Sequence, residues 1–355
     1  MAVLNQTLSR IQPLYQEVVE KAWERIDNLT KPIGSLGKLE EIAAQVTGIT
    51  GKIYNRVEKK NIVIMCADNG VAEESVSACP QSVTAAVTNN FTRGITGVNA
   101  LAAFAKADIT IVDVGVKADF RNAQIINRKI AYGTKNMLKE PAMTRQEAIR
   151  AIETGIEIAD NLAKDGVDLL GTGEMGVGNT ATSAAILSVL AGIAPDVVVG
   201  KGSGLTETQH EHKKRIVRQA VALHHPDRKD VIDVLSKVGG FDIAALCGCF
   251  LGAARHRIPI VMDGLISSVA ALCAYRFNPL VRDYMFPSHL SAEPGATYVM
   301  EELRLEPPLH MNMRLGEGSG CPLAFNMIEA ALYMMNHMGT FEDAAIDIGP
   351  YVDIR

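Results

Sequence analysis

The sequence has few aromatic residues and few cysteines. Aromatic side chains account for 5% of the 355 residues, with a single tryptophan, so no surface of interleaved basic and aromatic residues is available for nucleic acid. Six cysteines are too few for a disulfide scaffold in a chain of this length, and most of them lie in apolar runs. Reduced thiols and a cytoplasmic location are therefore expected.

Long apolar runs and an excess of positive charge are also missing. No stretch of about 18 or more uncharged apolar residues occurs, so no membrane-spanning helix is predicted. The formal net charge of -5 argues against a general binder of nucleic acid or of membrane surfaces. The N-terminal segment 1–26 is amphipathic and carries acidic residues, so it has the pattern of neither a signal peptide nor a typical transit peptide.

The sequence does contain an alternation of apolar, β-branched runs with helical patterns. The runs predict strands at 61–68, 109–116, 167–173, 196–200, 259–264 and 283–290. This alternation predicts a Rossmann-like α/β fold with a mostly parallel sheet flanked by helices. Because both chain ends show helical patterns, we expect a small helical domain from residues 1–55 and 321–355 beside a large α/β domain of residues 56–320.

The carboxyl ends of the predicted strands share a composition. Most are rich in Gly, Asp or Ser, and they include Asp68, 171–179, 200–204, Asp263 with Gly264, and 288–293. Ligands of parallel sheets bind beyond the carboxyl ends of the strands. We therefore expect the active site at this edge of the sheet.

The segment GTGEMGVGNT (171–180) contains the pattern G-x-G-x-x-G that is found in dinucleotide-binding sheets. Such a site also needs an acidic residue at the end of the following strand, whereas the run at 196–200 is followed by Lys201. A carboxylate at Glu174 would also repel a pyrophosphate. The sequence therefore favours a mononucleotide over a dinucleotide.

Two compact loops are candidates for binding a single phosphate. The first contains Gly176, Gly178, Asn179 and Thr180, whose backbone N–H groups would lie at a helix N-terminus. The second contains Lys201, Gly202, Ser203 and Gly204, and Lys213 lies on the helix that follows. The alternative is that these glycines only form tight turns between strand and helix.

Glu317 lies in a glycine-rich segment, MRLGEGSGCPLAF (313–325), which predicts a loop whose backbone approaches another group closely. Apolar neighbours would partly desolvate its carboxylate and raise the pKa toward that of a general base. The alternative is a solvated glutamate in the loop before the last helix. From spacing alone the two interpretations are equally supported.

Residues of metal-ligating type occur elsewhere, but their patterns do not favour a metal site. His210 and His212 lie in a polar helical segment, and His224 precedes a turn, so solvated surface is the simpler interpretation. Cys247 and Cys249 have no second cysteine pair, which favours core packing.

Eight segments, in order and spanning nearly the full chain, together resemble the nicotinate-nucleotide–dimethylbenzimidazole phosphoribosyltransferase family. They are 31–40, 65–84, 92–102, 171–185, 233–243, 251–264, 287–296 and 314–320. The resemblance implies transfer of the 5-phosphoribosyl group from nicotinate mononucleotide to a lower-ligand base of cobamides. The products would be an α-ribazole phosphate and nicotinate, formed with inversion at C1′ and with Glu317 as the general base.

The resemblance also implies small-molecule substrates, no cofactor, no metal, and a homodimer or a heterodimer with a related subunit. A catalytically silent, nucleotide-binding partner subunit of the same fold is the alternative. The 5′-phosphate would bind the two glycine loops and Lys213, and Glu174 would bind the ribose hydroxyls. The residues expected at the nicotinate or the base are Asp68, Cys79, Gln81, Asp263, Gly264, Ser291, Leu315, Gly316 and Gly318.

Two positions depart from the family pattern. Asn69 stands where a histidine is common, and Cys79 stands where a serine or tyrosine is common. Because segment 71–81 is expected to line the pocket for the acceptor base, both changes bear on the identity of that base. A smaller or less basic ring, including a phenol such as cresol, is a hypothesis for the acceptor.

Overall fold

The computed structural model describes residues 1–347 and 352–355, and its centre is a six-stranded, all-parallel sheet of order β3-β2-β1-β4-β5-β6. The strands are β1 Lys60–Ala67, β2 Asp108–Gly115, β3 Ile125–Asn127, β4 Leu169–Met175, β5 Ile260–Met262 and β6 Met285–Pro287. Strand β1 is buried along all of its length, as expected for a central parallel strand covered on both faces. The predicted α/β fold is confirmed.

Fourteen α-helices lie in the described parts of the chain. They are α1 Ala2–Arg10, α2 Gln16–Asp27, α3 Lys38–Thr50, α4 Ser82–Thr92, α5 Gly97–Phe104, α6 Arg145–Lys164, α7 Asn179–Ala191, α8 Pro195–Val198, α9 Glu207–His224, α10 Val231–Val238, α11 Phe241–Arg255, α12 Leu265–Phe277, α13 Gly295–Leu303 and α14 Cys321–His337. Short 3₁₀ helices span Gly70–Glu74 and Pro279–Tyr284. None of the helices in residues 1–347 and 352–355 is long and apolar enough to cross a membrane.

Helix α11 packs on the centre of the sheet and against α6. Gly155 of α6 and Gly248 of α11 allow this contact, because a Cβ on either would overlap a backbone carbonyl of the other helix. The cysteines of α11 are buried in this core, as the sequence predicted. The side chains of His210 and His224 lie within hydrogen-bond distance of backbone carbonyl oxygens.

The strand prediction at 196–200 was wrong. Pro195–Val198 forms a four-residue helix, which Pro195 begins because its fixed φ suits the first helical turn. The strand that follows β4 in the chain is therefore β5, and it is followed by Asp263 rather than Lys201. Lys201 thus does not stand at the end of the strand after β4, and its charge does not count against a dinucleotide.

The N- and C-terminal segments meet in space. Helices α2 and α3 pack together, and α3 also packs on α14. Leu29 forms an antiparallel bridge with Thr340, and Arg25 Nε donates a hydrogen bond of 2.9 Å to the carbonyl of Met335. Helix α1 instead packs on α6 and α11. The division into two domains stays a prediction.

Candidate active site

A cavity of about 240 Å³ opens at the carboxyl edge of the sheet, beside the end of β4. The predicted site residues that line it are Cys79, Glu174, Gly176, Gly178, Asn179, Thr180, Gly202, Ser203, Gly264, Ser291, Leu315, Gly316 and Glu317. Seven predicted residues are not part of its wall: Asp68, Gln81, Lys201, Gly204, Lys213, Asp263 and Gly318. The structure thus gathers six separate segments, which follow β1, β4, α8, β5, β6 and α13, around one space.

One end of the cavity, called here the phosphate end, is built from Gly178, Thr180, Gly202 and Ser203. Gly178 caps the N-terminus of α7 with a φ of 93°, a conformation that favours glycine. The N-terminus of a helix carries unpaired N–H groups and partial positive charge, so it attracts anions.

Lys213 supplies a cation directly beneath the phosphate end. It is fully buried, and its Nζ donates to Thr180 Oγ1 at 2.7 Å and to the carbonyl of Gly200 at 3.1 Å. Burial lowers the pKa of Lys213 to about 8. An ammonium has three N–H donors, and these two contacts use two of them. Lys201, in contrast, is exposed and pairs with Glu207.

Glu293 holds the loop at the phosphate end, a role that was not predicted. Its carboxylate lines the cavity and accepts the N–H of Gly202 at 2.9 Å. Gly200 must lack a side chain here, because a Cβ would overlap the other carboxylate oxygen. Glu293 lies in the segment 288–293 that the sequence placed at the strand ends, but nothing in that segment indicated its partner.

A second part of the wall, called here the acid end, contains Glu317. Its side chain is half-buried, and Oε2 accepts the N–H of Val98 at 3.4 Å, at the N-terminus of α5. Burial raises the pKa of Glu317, while the backbone N–H groups of Val98 and Gly97 lower it. The carboxylate is thus partly desolvated and still favoured as an anion by a helix N-terminus.

The backbone around Glu317 is left-handed at three successive residues, with φ of 82° at Gly316, 64° at Glu317 and 90° at Gly318. For a residue other than glycine this conformation costs about 1–2 kcal/mol. The loop therefore needs contacts that hold it.

Two further carboxylates lie near the acid end: Glu174 lines the cavity, and Asp242 is buried behind its wall. Asn179 Nδ2 donates to Glu174 and, at 3.1 Å, to Asp242 Oδ2. Burial, followed by the charge of Asp242, raises the pKa of Glu174 to about 8, and burial raises the pKa of Asp242 to about 6. Asp242 was not among the predicted site residues, although the segment 233–243 that carries it was singled out.

Asp263 does not line the cavity, although the family resemblance implied that it lies at the nicotinate or the base. It is 3% exposed, and its two oxygens accept the N–H groups of Gly318 at 3.0 Å and Gly320 at 2.7 Å. Burial raises its pKa to about 7. Its hydrogen-bond partners are therefore backbone N–H groups of the loop that carries Glu317.

The glycines of the G-x-G-x-x-G pattern leave room for other segments of this chain rather than for a pyrophosphate. A Cβ on Gly173 would overlap the carbonyl of Glu317, and one on Gly171 would lie 2.8 Å from Cβ of Cys321. A Cβ on Gly176 would overlap the carbonyl of Ala67. The C-terminal segment thus lies directly on β4, which gives the glycines a physical role that needs no dinucleotide.

The walls between the two ends are mostly apolar. They include Val83, Val87, Val177, Leu265, Ile266 and Leu315. Apart from Leu315, these were not predicted, because an apolar residue on a helix has the same pattern whether it faces a core or a ligand. Cys79 and Ser291 contribute polar atoms to the wall.

Asp68 and Gln81 lie near this region without lining the cavity. Asp68 is buried and accepts the N–H of Lys117 at 2.7 Å, and Gln81 Nε2 donates to the carbonyl of Asn69 at 3.4 Å. Asn69 is itself fully buried. Asn69 would therefore affect an acceptor base through neighbouring residues rather than by direct contact with it.

Fold and site together describe a parallel α/β protein whose cavity combines an anion site with a partly desolvated carboxylate. A phosphorylated substrate and a proton-transfer step both fit such a cavity. These are the requirements of a group-transfer enzyme that acts on a small phosphorylated molecule.

The comparisons with known proteins agree with this class. The sequence model of the family described as "Phosphoribosyltransferase" matches residues 11–346. A nicotinate-nucleotide–dimethylbenzimidazole phosphoribosyltransferase of Clostridium tetani is 59% identical, over 100% of this chain and 98% of that protein. The protein of the same name from Ruminiclostridium cellulolyticum is 56% identical, over 96% of this chain and 97% of its own length.

A crystal structure of CobT from Thermus thermophilus superposes with a TM-score of 0.90 at 38% identity, covering 94% of this chain and 100% of that one. The chain described here belongs to this phosphoribosyltransferase family.

Proposed function

We propose that this chain transfers the 5-phosphoribosyl group of nicotinate mononucleotide to dimethylbenzimidazole or a related lower-ligand base. The relatives' names state this pair of substrates. The single observation that carries the proposal is the cavity itself, which joins the phosphate end over Lys213 to the half-buried Glu317 carboxylate. A substrate with a phosphate at one end and a reacting nitrogen at the other matches this arrangement.

In the proposed reaction, the bond between C1′ and the pyridinium nitrogen breaks, and its electron pair returns to that nitrogen, which leaves neutral. A ring nitrogen of the acceptor attacks C1′ from the opposite face, which converts the β-linked ribose to α. Glu317 takes the proton from the acceptor's other nitrogen. Most of the remaining rate acceleration comes from holding both rings against one sugar, because this replaces a collision between two molecules in solution.

The acid end suits a cationic leaving group. The pyridinium of nicotinate mononucleotide carries positive charge until the bond to C1′ breaks. A cation beside Glu174 and Asp242 would favour their ionised forms and would in turn be stabilised by them. The pKa values of these two carboxyls, raised by burial, are consistent with a site that gains from such a ligand.

The direct test uses the purified chain alone with nicotinate mononucleotide and dimethylbenzimidazole. We expect nicotinate and an α-ribazole phosphate in equal amounts, with the anomer assigned by NMR. Binding of the mononucleotide without turnover would instead favour the silent partner subunit. Release of nicotinate with a β-linked product would contradict inversion.

The proposal also covers assembly, location and acceptor. We expect a homodimer or a pair with a related subunit, measured by light scattering, and a cytoplasmic location, measured by fractionation of the source cells. The phenol hypothesis now depends mainly on Cys79, which lines the cavity, because Asn69 does not. Formation of a ribosylated p-cresol alongside the benzimidazole product would support it, and brisk benzimidazole turnover without it would count against it.

A further inference from the structure

The loop that carries Glu317 is held by groups from two neighbouring strands. The peptide between Glu317 and Gly318 lies against Gly173 of β4, where even a methyl group would overlap it. On its other side the N–H of Gly318 donates to Asp263 Oδ2 at 3.0 Å, just beyond the end of β5. This peptide is therefore fixed from two directions.

A second contact on Asp263 fixes the following turn. Its Oδ1 accepts the N–H of Gly320 at 2.7 Å, and a Cβ on Gly320 would press on Asp263 Oδ1, Ser288 and His289. The carboxylate thus binds two N–H groups on the C-terminal side of Glu317. A group with two acceptor oxygens is needed here, since each oxygen serves a different donor.

Asp263 is itself held in place. Its backbone N–H donates to Ser267 Oγ at 3.2 Å, and Ser288 Oγ donates to its carbonyl at 3.3 Å. It is buried, and His289 Nδ1 lies 3.9 Å from its Oδ1. These contacts leave it no route to a ligand in the cavity.

From this geometry we infer that Asp263 is a positioning residue for the reaction: its carboxylate fixes the left-handed loop 316–320 and thereby sets Glu317 at the N-terminus of α5. The inference rests on the proposed function, because it assigns a partner to the proposed base. It differs from the expectation drawn from the family resemblance, in which Asp263 lies at the nicotinate or the base.

The test is a double-mutant cycle of Asp263→Asn and Glu317→Gln. The amide keeps the shape of the carboxylate but offers one acceptor oxygen and adds a donor, so one loop N–H loses its partner. In the presence of Glu317 we expect kcat to fall about 10-fold, with KM for nicotinate mononucleotide changed less than about 3-fold. In the Glu317→Gln background the same change should alter kcat less than about 2-fold, because a residue that acts through another has no effect once that other is gone.

Asp113→Asn is the matched control. Asp113 is equally buried at the carboxyl end of β2, and its Oδ1 accepts the N–H groups of Gly115 at 3.1 Å and Val116 at 2.9 Å, within its own segment. Its replacement should lower the melting temperature and leave kcat unchanged. Asp263→Glu, which keeps the charge and moves it by one methylene, supplies the same cycle if the asparagine variant does not fold.

The outcomes separate the positioning role from the reaction itself. Equal loss of kcat from Asp263→Asn in both backgrounds would overturn the inference while leaving the reaction intact. A rise in KM alone would place Asp263 in substrate binding and would also overturn it. Absence of transfer by the unmodified chain would count against the proposed function instead.

Discussion

Burial shifts the pKa values at the phosphate end and at the acid end of the cavity in opposite directions. At the phosphate end, burial lowers the pKa of the Lys213 ammonium to about 8. At the acid end, burial raises the pKa of Glu174 and Glu317, which line the cavity, and of Asp242 and Asp263, which lie behind its wall. In each case desolvation favours the neutral form, so both ends gain from a ligand that carries the opposite charge. A substrate with an anionic phosphate and a cationic ring would supply one such charge to each end.

The two ends also differ in how their loops are held. At the phosphate end, a carboxylate that lines the cavity, Glu293, holds Gly202. At the acid end, the carboxylate that holds the loop, Asp263, lies outside the cavity and leaves Glu317 as the group that faces it. The difference separates binding at one end from proton transfer at the other, and each change below affects either one end or the wall between them.

The largest effect is expected at the acid end from Glu317→Gln. Loss of the general base should lower kcat by about 10²-fold or more, because the amide does not take the acceptor's proton. The dissociation constant of nicotinate mononucleotide, measured by calorimetry, should change little.

Glu306→Gln is the control, since Glu306 is exposed and pairs with Lys38. Full activity of Glu317→Gln would show that its carboxylate is only structural.

At the phosphate end, Lys213→Met should raise KM for the mononucleotide by about 10–100-fold, the range of a charge-assisted hydrogen bond. Because the phosphate is bound before and during the reaction, kcat should be nearly unchanged. Steady-state kinetics measure both constants.

The neighbouring Lys214→Met is the control, because Lys214 Nζ pairs with Glu211 at 2.8 Å rather than with Thr180 of the phosphate end. If Lys213→Met lowers kcat without changing KM, this contradicts the proposal that the phosphate end serves binding and the acid end serves proton transfer.

The acid end should also affect stability as a function of pH. The folded pKa of Glu174, about 8, lies above its ordinary value of 4.5, so the folded state binds the proton more tightly than the unfolded state does. The free energy of unfolding then decreases as pH rises from about 4.5 to about 8. Glu174→Gln lacks this loss, so its melting temperature relative to the unmodified chain should increase between about pH 5 and about pH 9. If the variant and the unmodified chain differ in melting temperature by the same amount at both pH values, the raised pKa of Glu174 is contradicted.

The smallest effect is expected at the wall between the ends. Cys79→Ser should change the product ratio in a mixture of benzimidazoles, purines and phenols by about 5-fold or less, because one atom of the wall changes. Total nicotinate release should stay the same. Chromatography of the ribosylated products measures the ratio, and an unaltered ratio would show that Cys79 does not select the acceptor.

The sequence allowed the main architecture to be predicted because central parallel strands are continuous apolar runs. It did not reveal β3, which has three residues, or α12, whose sides are all buried and which therefore lacks a helical period. At the site, the glycines around Glu317 predicted a loop that approaches another group closely. They did not identify that group, since Asp263 and Gly318 lie 55 positions apart and pair only in three dimensions. Likewise, no pattern distinguished the exposed Lys201 from the buried Lys213.

The direct contacts of the Glu317 loop with Gly173 and of α14 with Gly171 have a consequence for biosynthesis of the protein. During translation, the strands and helices that build the phosphate end leave the ribosome well before residue 317 does. The groove over β4 therefore stays uncovered until the last segment has left the ribosome and docks there. A chain released before that point would lack Glu317, the proposed general base.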